Sequence, residues 1–154
     1  MMDSPTDALD AMMTTCADAG GLGGIGVPTM SVATASSTYT TYTPDKAIDG
    51  DINTAWCAGT NQGWLQIDFP APTSIAGVRI AAVATPSTTQ TFTITPSGSQ
   101  TVIGSGMRAV NPNVSVLPAI SVTPGTYSGI RITVDGANSW IQPYEVSLLT
   151  PACP

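Results

Sequence analysis

From residue 64 to residue 149, apolar and polar side chains alternate with a period of two, in short runs cut by turn residues. In Trp64-Leu-Gln-Ile-Asp-Phe69, Gln66 and Asp68 share a face with Trp64 while Leu65, Ile67 and Phe69 point the other way, the pattern of a strand buried on one side. Pro70-Ala-Pro72 is expected to end that strand, because proline has no N–H to give to a ladder. Val78-Arg-Ile80, Thr91-Phe-Thr-Ile94, Ile130-Arg-Ile-Thr-Val134 and the stretch from Tyr144 to Leu149 repeat the alternation, separated by Thr-Pro-Ser, Pro-Ser-Gly and Asp-Gly-Ala-Asn turns. Many short strands at such spacing make a sandwich or a barrel, so the chain reads as all-β. With 154 residues it fits one such core. No apolar run of about eighteen residues is present to form a membrane-spanning helix.

Charge and residue usage exclude several functions. Only 9% of residues are charged, so Ser, Thr, Asn and Gln must supply the solvent face of the strands, where the branched Cβ of threonine packs well. A net charge of −6 is the wrong sign for a nucleic-acid surface. The absence of histidine removes His-based acid–base chemistry, Ser-His-Asp triads and His-ligated metals. Cys57 follows Trp56 with no histidine to activate it, and reads as a packed free thiol rather than a nucleophile. With no other pair of carboxylates in an obvious role, the chain is not expected to be an enzyme.

One segment concentrates oxygen donors: Lys46-Ala-Ile-Asp49-Gly-Asp51-Ile-Asn-Thr54-Ala-Trp56, matched far downstream by Glu145, the sole glutamate. An Asp-Gly-Asp turn followed by threonine folds several oxygens inward, and a hard cation such as Ca²⁺ needs about six to eight of them. The spacing is not that of an EF-hand, whose closing glutamate lies within its own loop. Here the closing carboxylate must come from a distant strand, so a bound ion would tie the start of the fold to its end and be structural. The alternative is a plain surface turn and a solvated Glu145.

Ala33-Thr-Ala-Ser36-Ser37, Ala47-Ile-Asp-Gly-Asp-Ile-Asn-Thr-Ala-Trp56, Gly63-Trp-Leu-Gln-Ile-Asp-Phe69, Ser74-Ile-Ala-Gly-Val-Arg-Ile80, Ile130-Arg-Ile-Thr-Val134 and Glu145-Val-Ser-Leu-Leu149, in that order, resemble the discoidin or coagulation-factor type C domain, a group that includes galactose-binding-like carbohydrate-binding modules. The resemblance runs from about Pro28 to Pro154. It implies a jelly-roll β-sandwich, a structural Ca²⁺ and ligand recognition by loops at one end. By resemblance the calcium ligands are the Lys46 carbonyl, an Asp49 side-chain oxygen, the Asp51 carbonyl, the Thr54 carbonyl and hydroxyl, the Tyr144 carbonyl and a Glu145 carboxylate oxygen.

Sugar-binding relatives use a histidine, arginines and an asparagine beside an aromatic platform. This chain has no histidine, and its loop Ala84-Thr-Pro-Ser-Thr-Thr-Gln90 lacks an arginine. The remaining ligand candidates are Tyr39, Tyr42, Asn61, Gln62, Arg108, Asn111, Asn138 and Trp140. Each has a plainer reading: tyrosines covering the core edge, asparagines serving turns, Arg108 a solvated charge, Trp140 packed beside the calcium loop. Trp56 and Trp64 are expected in the core.

Residues 1–27 are a different material, and the sandwich is assigned to 28–154. Ser4-Pro5-Thr6-Asp7 reads as a helix start and Gly20 as its stop, with Ala8, Leu9, Met12, Met13 and Cys16 on one apolar stripe; a glycine-rich tether follows. A short N-terminal helix is expected, packed on the sandwich or docked into a larger assembly. No secretory signal is read in this segment. By resemblance Cys16 and Cys153 could form a bridge worth on the order of 4–5 kcal/mol; otherwise Cys16 is an apolar residue of the stripe. The functional expectation is a non-enzymatic, calcium-stabilised module for a neutral glycan or cell-surface polysaccharide, facing the outside, for example on a virion surface. The alternative is a purely structural protein of a multi-copy assembly.

Overall fold

The computed structural model describes residues 25–151. The helix expected upstream and the Cys16–Cys153 pair lie outside them. The described residues form eight strands: β1 (Ile25–Gly26), β2 (Val32–Ala35), β3 (Gln62–Val83), β4 (Thr88–Pro96), β5 (Gly104–Val110), β6 (Ser115–Val116), β7 (Ile120–Asp135) and β8 (Gln142–Leu149), with one 3₁₀ turn at Pro44–Ala47. Ile25 and Gly26 pair with Leu148 and Ser147 of β8, so the sandwich begins ahead of the expected boundary at residue 28.

Two long strands serve both layers. In one layer, residues 62–68 of β3 pair with β2 on one side and with residues 129–135 of β7 on the other, and β4 and then β5 continue outward from β7. In the other layer, residues 77–83 of β3 pair with β8, which carries β1, while β6 and the start of β7 lie on the opposite edge of β3. Pro70 and Pro72 therefore do not end the strand. They pass it from one layer to the other: residues 69–72 of β3 stand opposite Ser128 alone, so the ladder is broken where the prolines could not donate to it. The crossing is tight. A Cβ on Gly129 would lie 2.6 Å from the Ile67 carbonyl, so only glycine lets β7 come this near.

The inner faces meet in one core. Leu65, Ile67, Phe92, Ile94, Ile130, Ile132 and Val134 come from the first layer, and Val78, Ile80, Ile120, Val122, Val146 and Leu148 from the second. The result is the jelly-roll β-sandwich expected from the alternation. Trp56 closes one end of the core with no exposed surface, and its indole nitrogen donates to the Ser37 carbonyl at 2.9 Å, as a buried tryptophan requires. Trp64 is not a core residue. It stands half-buried on the outer face of the first layer, because it has the parity of Gln66 and Asp68.

Candidate functional site

Two clusters form at the end of the sandwich that carries the 3₁₀ turn and the loops on either side of Trp56. The first is the oxygen-rich turn. Gly50 has φ +80°, a left-handed conformation open to glycine, and this turns its N–H toward Glu145 Oε2 at 3.1 Å. Glu145 arrives there through an irregularity in β8. Ala81 pairs with Glu145 and Ala82 with Pro143, leaving Tyr144 as the extra, unpaired residue of a bulge.

Around Thr54 Oγ1 lie Asp49 Oδ2 at 2.7 Å, the Asp51 carbonyl at 3.1 Å and the Lys46 carbonyl at 3.4 Å. One hydroxyl hydrogen can serve only one of these three acceptors. Asp51 turns its carboxylate back onto the N–H and amide of Asn53, which holds its pKa below the usual carboxylate range and leaves its carbonyl facing the cluster. Burial, opposed by the Gly50 N–H and reinforced by the charges of Asp49 and Asp51, pushes Glu145 up from 4.5 to about 7. Among the described residues no three His, Cys, Asp or Glu side chains converge. The donor set is two carboxylates, a hydroxyl and main-chain carbonyls, which suits a hard, oxygen-seeking cation such as Ca²⁺ and no thiophilic metal.

The second cluster is aromatic. Tyr39 lies between Trp140, at a centroid distance of 5.0 Å and tilted 56°, and Tyr42, at 6.4 Å and nearly parallel. All three rings are exposed, Trp140 by 49%. The loops that present them are firmly held. Tyr39 and Tyr42 are joined to Cys57 through main-chain bonds, and Gly59, at φ +70°, leaves room for the Tyr39 ring, whose Cβ would be 3.1 Å from an added methyl. On the other side Asn61 clamps the 136–140 turn, its Nδ2 donating to the Ala137 carbonyl at 2.7 Å and its own carbonyl accepting from Gly136 N at 2.6 Å. Thr40 and Ala137 both have left-handed φ, +52° and +54°. Such strain in non-glycine residues persists only where the surroundings fix it, and here it falls on both loops that carry the rings.

Of the ligand candidates, the fold thus gathers Tyr39, Tyr42 and Trp140, with exposed Asn138 in the same turn as Trp140 and Asn61 as the clamp beneath. Arg108 is used elsewhere. Its guanidinium donates to the carbonyls of Pro118, Ala119 and Met107 at 2.9, 2.6 and 2.8 Å, bracing β5 against the segment that leads into β7. Asn111 serves its own turn, accepting from Asn113 N. The left-handed Thr40 and Ala137, the clamp role of Asn61 and the stacking of Arg131 on Trp64 at 3.8 Å all escaped sequence reasoning. Only the cross-strand register that sets Gln66 opposite Arg131 could have signalled the last of these.

Residues 32–146 match the family described as the F5/8 type C domain. The chain belongs to that family. Among solved structures, this F5/8 type C domain resembles the family 32 carbohydrate-binding module of AlyQ in complex with 4,5-unsaturated mannuronic acid, with 25% identity over 76% of this chain and 92% of that one and a TM-score of 0.61. It also resembles the family 32 module of Clostridium perfringens NanJ in complex with galactose, with 20% identity over 77% and 92% of the two chains and a TM-score of 0.61. A pectin-binding carbohydrate-binding module has 23% identity over 79% and 91%, also with a TM-score of 0.61. No curated protein matches the sequence.

Two outcomes follow from this geometry. Glu145 has a folded-state pKa raised from 4.5 to about 7, so its contribution to stability is fully present below about 4.5 and is lost as pH rises through 7. In chelator, thermal denaturation at pH 8 should therefore show the wild type losing about 1 kcal/mol relative to pH 5 beyond any loss in Glu145→Gln, the full shift being discounted for a half-exposed group. Arg108→Met should cost about 1 kcal/mol of stability by removing its bonds to the Pro118, Ala119 and Met107 carbonyls, with no effect on any ligand held at the aromatic ridge.

Proposed function

We propose that this F5/8 type C domain is a non-enzymatic glycan-binding module, stabilised by a structural Ca²⁺ and taking a neutral sugar on the Tyr39–Trp140 ridge. The carrying observation is the exposed Trp140–Tyr39 pair, presented by two strained and clamped loops at one end of a sandwich related to carbohydrate-binding modules. A sugar ring offers a C–H face to such rings, and the exposed Asn138 amide lies within the same turn for its hydroxyls. A neutral sugar suits a chain of net charge −6 whose Arg108 is committed to main-chain carbonyls. The resemblance to a galactose-bound module supports a hexose as the class. For the ion, the proposed ligands are Asp49, Thr54 and Glu145 through side chains and Lys46, Asp51, Thr54 and Tyr144 through carbonyls. The support is the set of acceptor oxygens around Thr54 and the raised pKa of Glu145, both relieved by a cation.

A second reading, a structural part of a multi-copy assembly, is favoured by apolar side chains left in solvent: Met30, Val32, Met107 and Val116 are 84, 59, 65 and 58% exposed. The two readings combine if residues 1–24 dock the domain onto an assembly such as a virion surface, leaving the ridge outward.

Calcium should raise the melting temperature, by the equivalent of about 2.7 kcal/mol when free ion is a hundredfold above its dissociation constant, and Glu145→Gln should remove most of that shift. On a glycan array with calcium, Trp140→Ala should weaken binding about tenfold or more while keeping the calcium shift. An array without any bound sugar would leave the structural reading. Removing residues 1–24, which keeps β1, should leave the melting temperature of the sandwich intact and reduce the oligomeric state seen by light scattering. A full-length monomer at high concentration would refute assembly through that segment.

A further inference from the structure

The outer face of the first layer carries a second concavity that the ridge does not use. Register places side chains in rows across four strands: Trp64, Thr133, Thr93 and Ser105 form one, and Gln62, Asp135, Thr91 and Met107 the next. Between these rows lies a shallow trough of about 430 Å³, with Trp64 at one side, a floor of Thr91, Thr93 and Thr133, and Gln62 and Asp135 toward the loop end.

The Trp64 ring is fixed in place before any ligand arrives. Arg131, in the neighbouring row, stacks its guanidinium 3.8 Å from the ring centroid; its Nε donates to Gln66 Oε1 at 3.0 Å, and Gln66 Nε2 donates to Asp68 Oδ2 at 3.1 Å. None of Arg131, Gln66 and Asp68 lines the trough, so this relay braces the indole from the side away from it.

We infer that the trough is a second ligand site, for a neutral, extended, β-linked oligosaccharide. The indole offers one stacking surface for a pyranose ring, and the hydroxyls of Thr91, Thr93 and Thr133, which make no hydrogen bond to another described residue, offer donors and acceptors to sugar hydroxyls. From Trp64 to Thr93 is two strand spacings, about 10 Å, and with the trough's volume this accommodates about two sugar rings. Asp135 is the sole ionisable group lining the trough, which disfavours uronic acids and sulfated sugars. A chain of β-linked hexoses is flat enough to lie on a sheet and presents its hydroxyls along both edges. The site does not rest on the ridge: it uses different residues on a different surface, at the far side of the Asn61–Gly136 clamp.

The test uses the full chain and neutral β-1,4-linked hexasaccharides of glucose, mannose and xylose, followed by titration calorimetry and by tryptophan fluorescence. Trp140→Ala removes the ridge and reports on it separately. In that background one or more of the hexasaccharides should still bind and perturb the remaining tryptophan emission, and Thr133→Lys, at an exposed strand position that keeps the fold, should weaken this binding tenfold or more. Trp64→Ala should do the same if it folds; Thr133→Lys decides the matter if it does not. The inference is overturned if no hexasaccharide binds the Trp140→Ala protein, or if Thr133→Lys leaves the binding unchanged.

Discussion

The pairing of β3 with β7 holds the molecule together. These two strands run side by side through both layers, so every other strand hangs on one of them, directly or through a neighbour. A ladder that changes layer must be interrupted, because its hydrogen bonds cannot follow the bend. Residues 69–72 provide that interruption with two prolines that have nothing to donate, and Gly129 lets β7 pass close beneath. Both clusters take their positions from this frame. The start of β3 and the end of β7 deliver Asn61 and the 136–140 turn to the same point, and the second half of β3 holds β8 and with it Glu145.

Two kinds of local strain are concentrated at that end of the sandwich. One is electrostatic: oxygens from three residues crowd a single hydroxyl, and a half-buried glutamate lies within the influence of two aspartates. Repulsion of this sort is held in place by the main chain, chiefly the left-handed Gly50 and the extra residue Tyr144 in β8. The other is conformational, at Thr40 and Ala137. Both kinds sit on loops tied by main-chain hydrogen bonds, among them Tyr39 N to the Cys57 carbonyl, Thr54 N to the Asp51 carbonyl and Gly136 N to the Asn61 carbonyl, which keep the geometry from relaxing. The front face of the sheet is different in kind: it is unstrained, built of repeated threonines, and its one aromatic is braced by neighbours rather than by the backbone.

Parity explains the main departure from the sequence reading. Trp64 is expected in the core, yet its alternation with Leu65 and Ile67 puts it outside, where a cation–π partner and a polar relay compensate for its exposure. Arg108 presents the opposite case. Its residue type suggested a sugar contact, and its donors are instead consumed by main-chain carbonyls at the open edge of β5, groups that no composition or spacing reveals.

The sequence by itself determined the all-β class, strand segments at 64–69, 78–80, 91–94, 130–134 and 144–149, the inward residues of the first of them, and the residues of the oxygen-rich turn together with Glu145, because these depend on local periodicity, turn chemistry and a motif of fixed order; the passage of β3 through its prolines, β5, β6 and the first half of β7 carry no such local signal. It also supplied the aromatic candidates as a set. Which of them meet was decided only in three dimensions. Tyr39 and Trp140 are brought to 5.0 Å by a clamp between Asn61 and a turn distant in the chain, and Trp64, Thr93 and Thr133 share a row only through the register of three strands. Contacts of this kind join residues far apart in sequence, and their geometry is set by strand crossing, register and left-handed backbone positions, which leave no local trace in the order of amino acids.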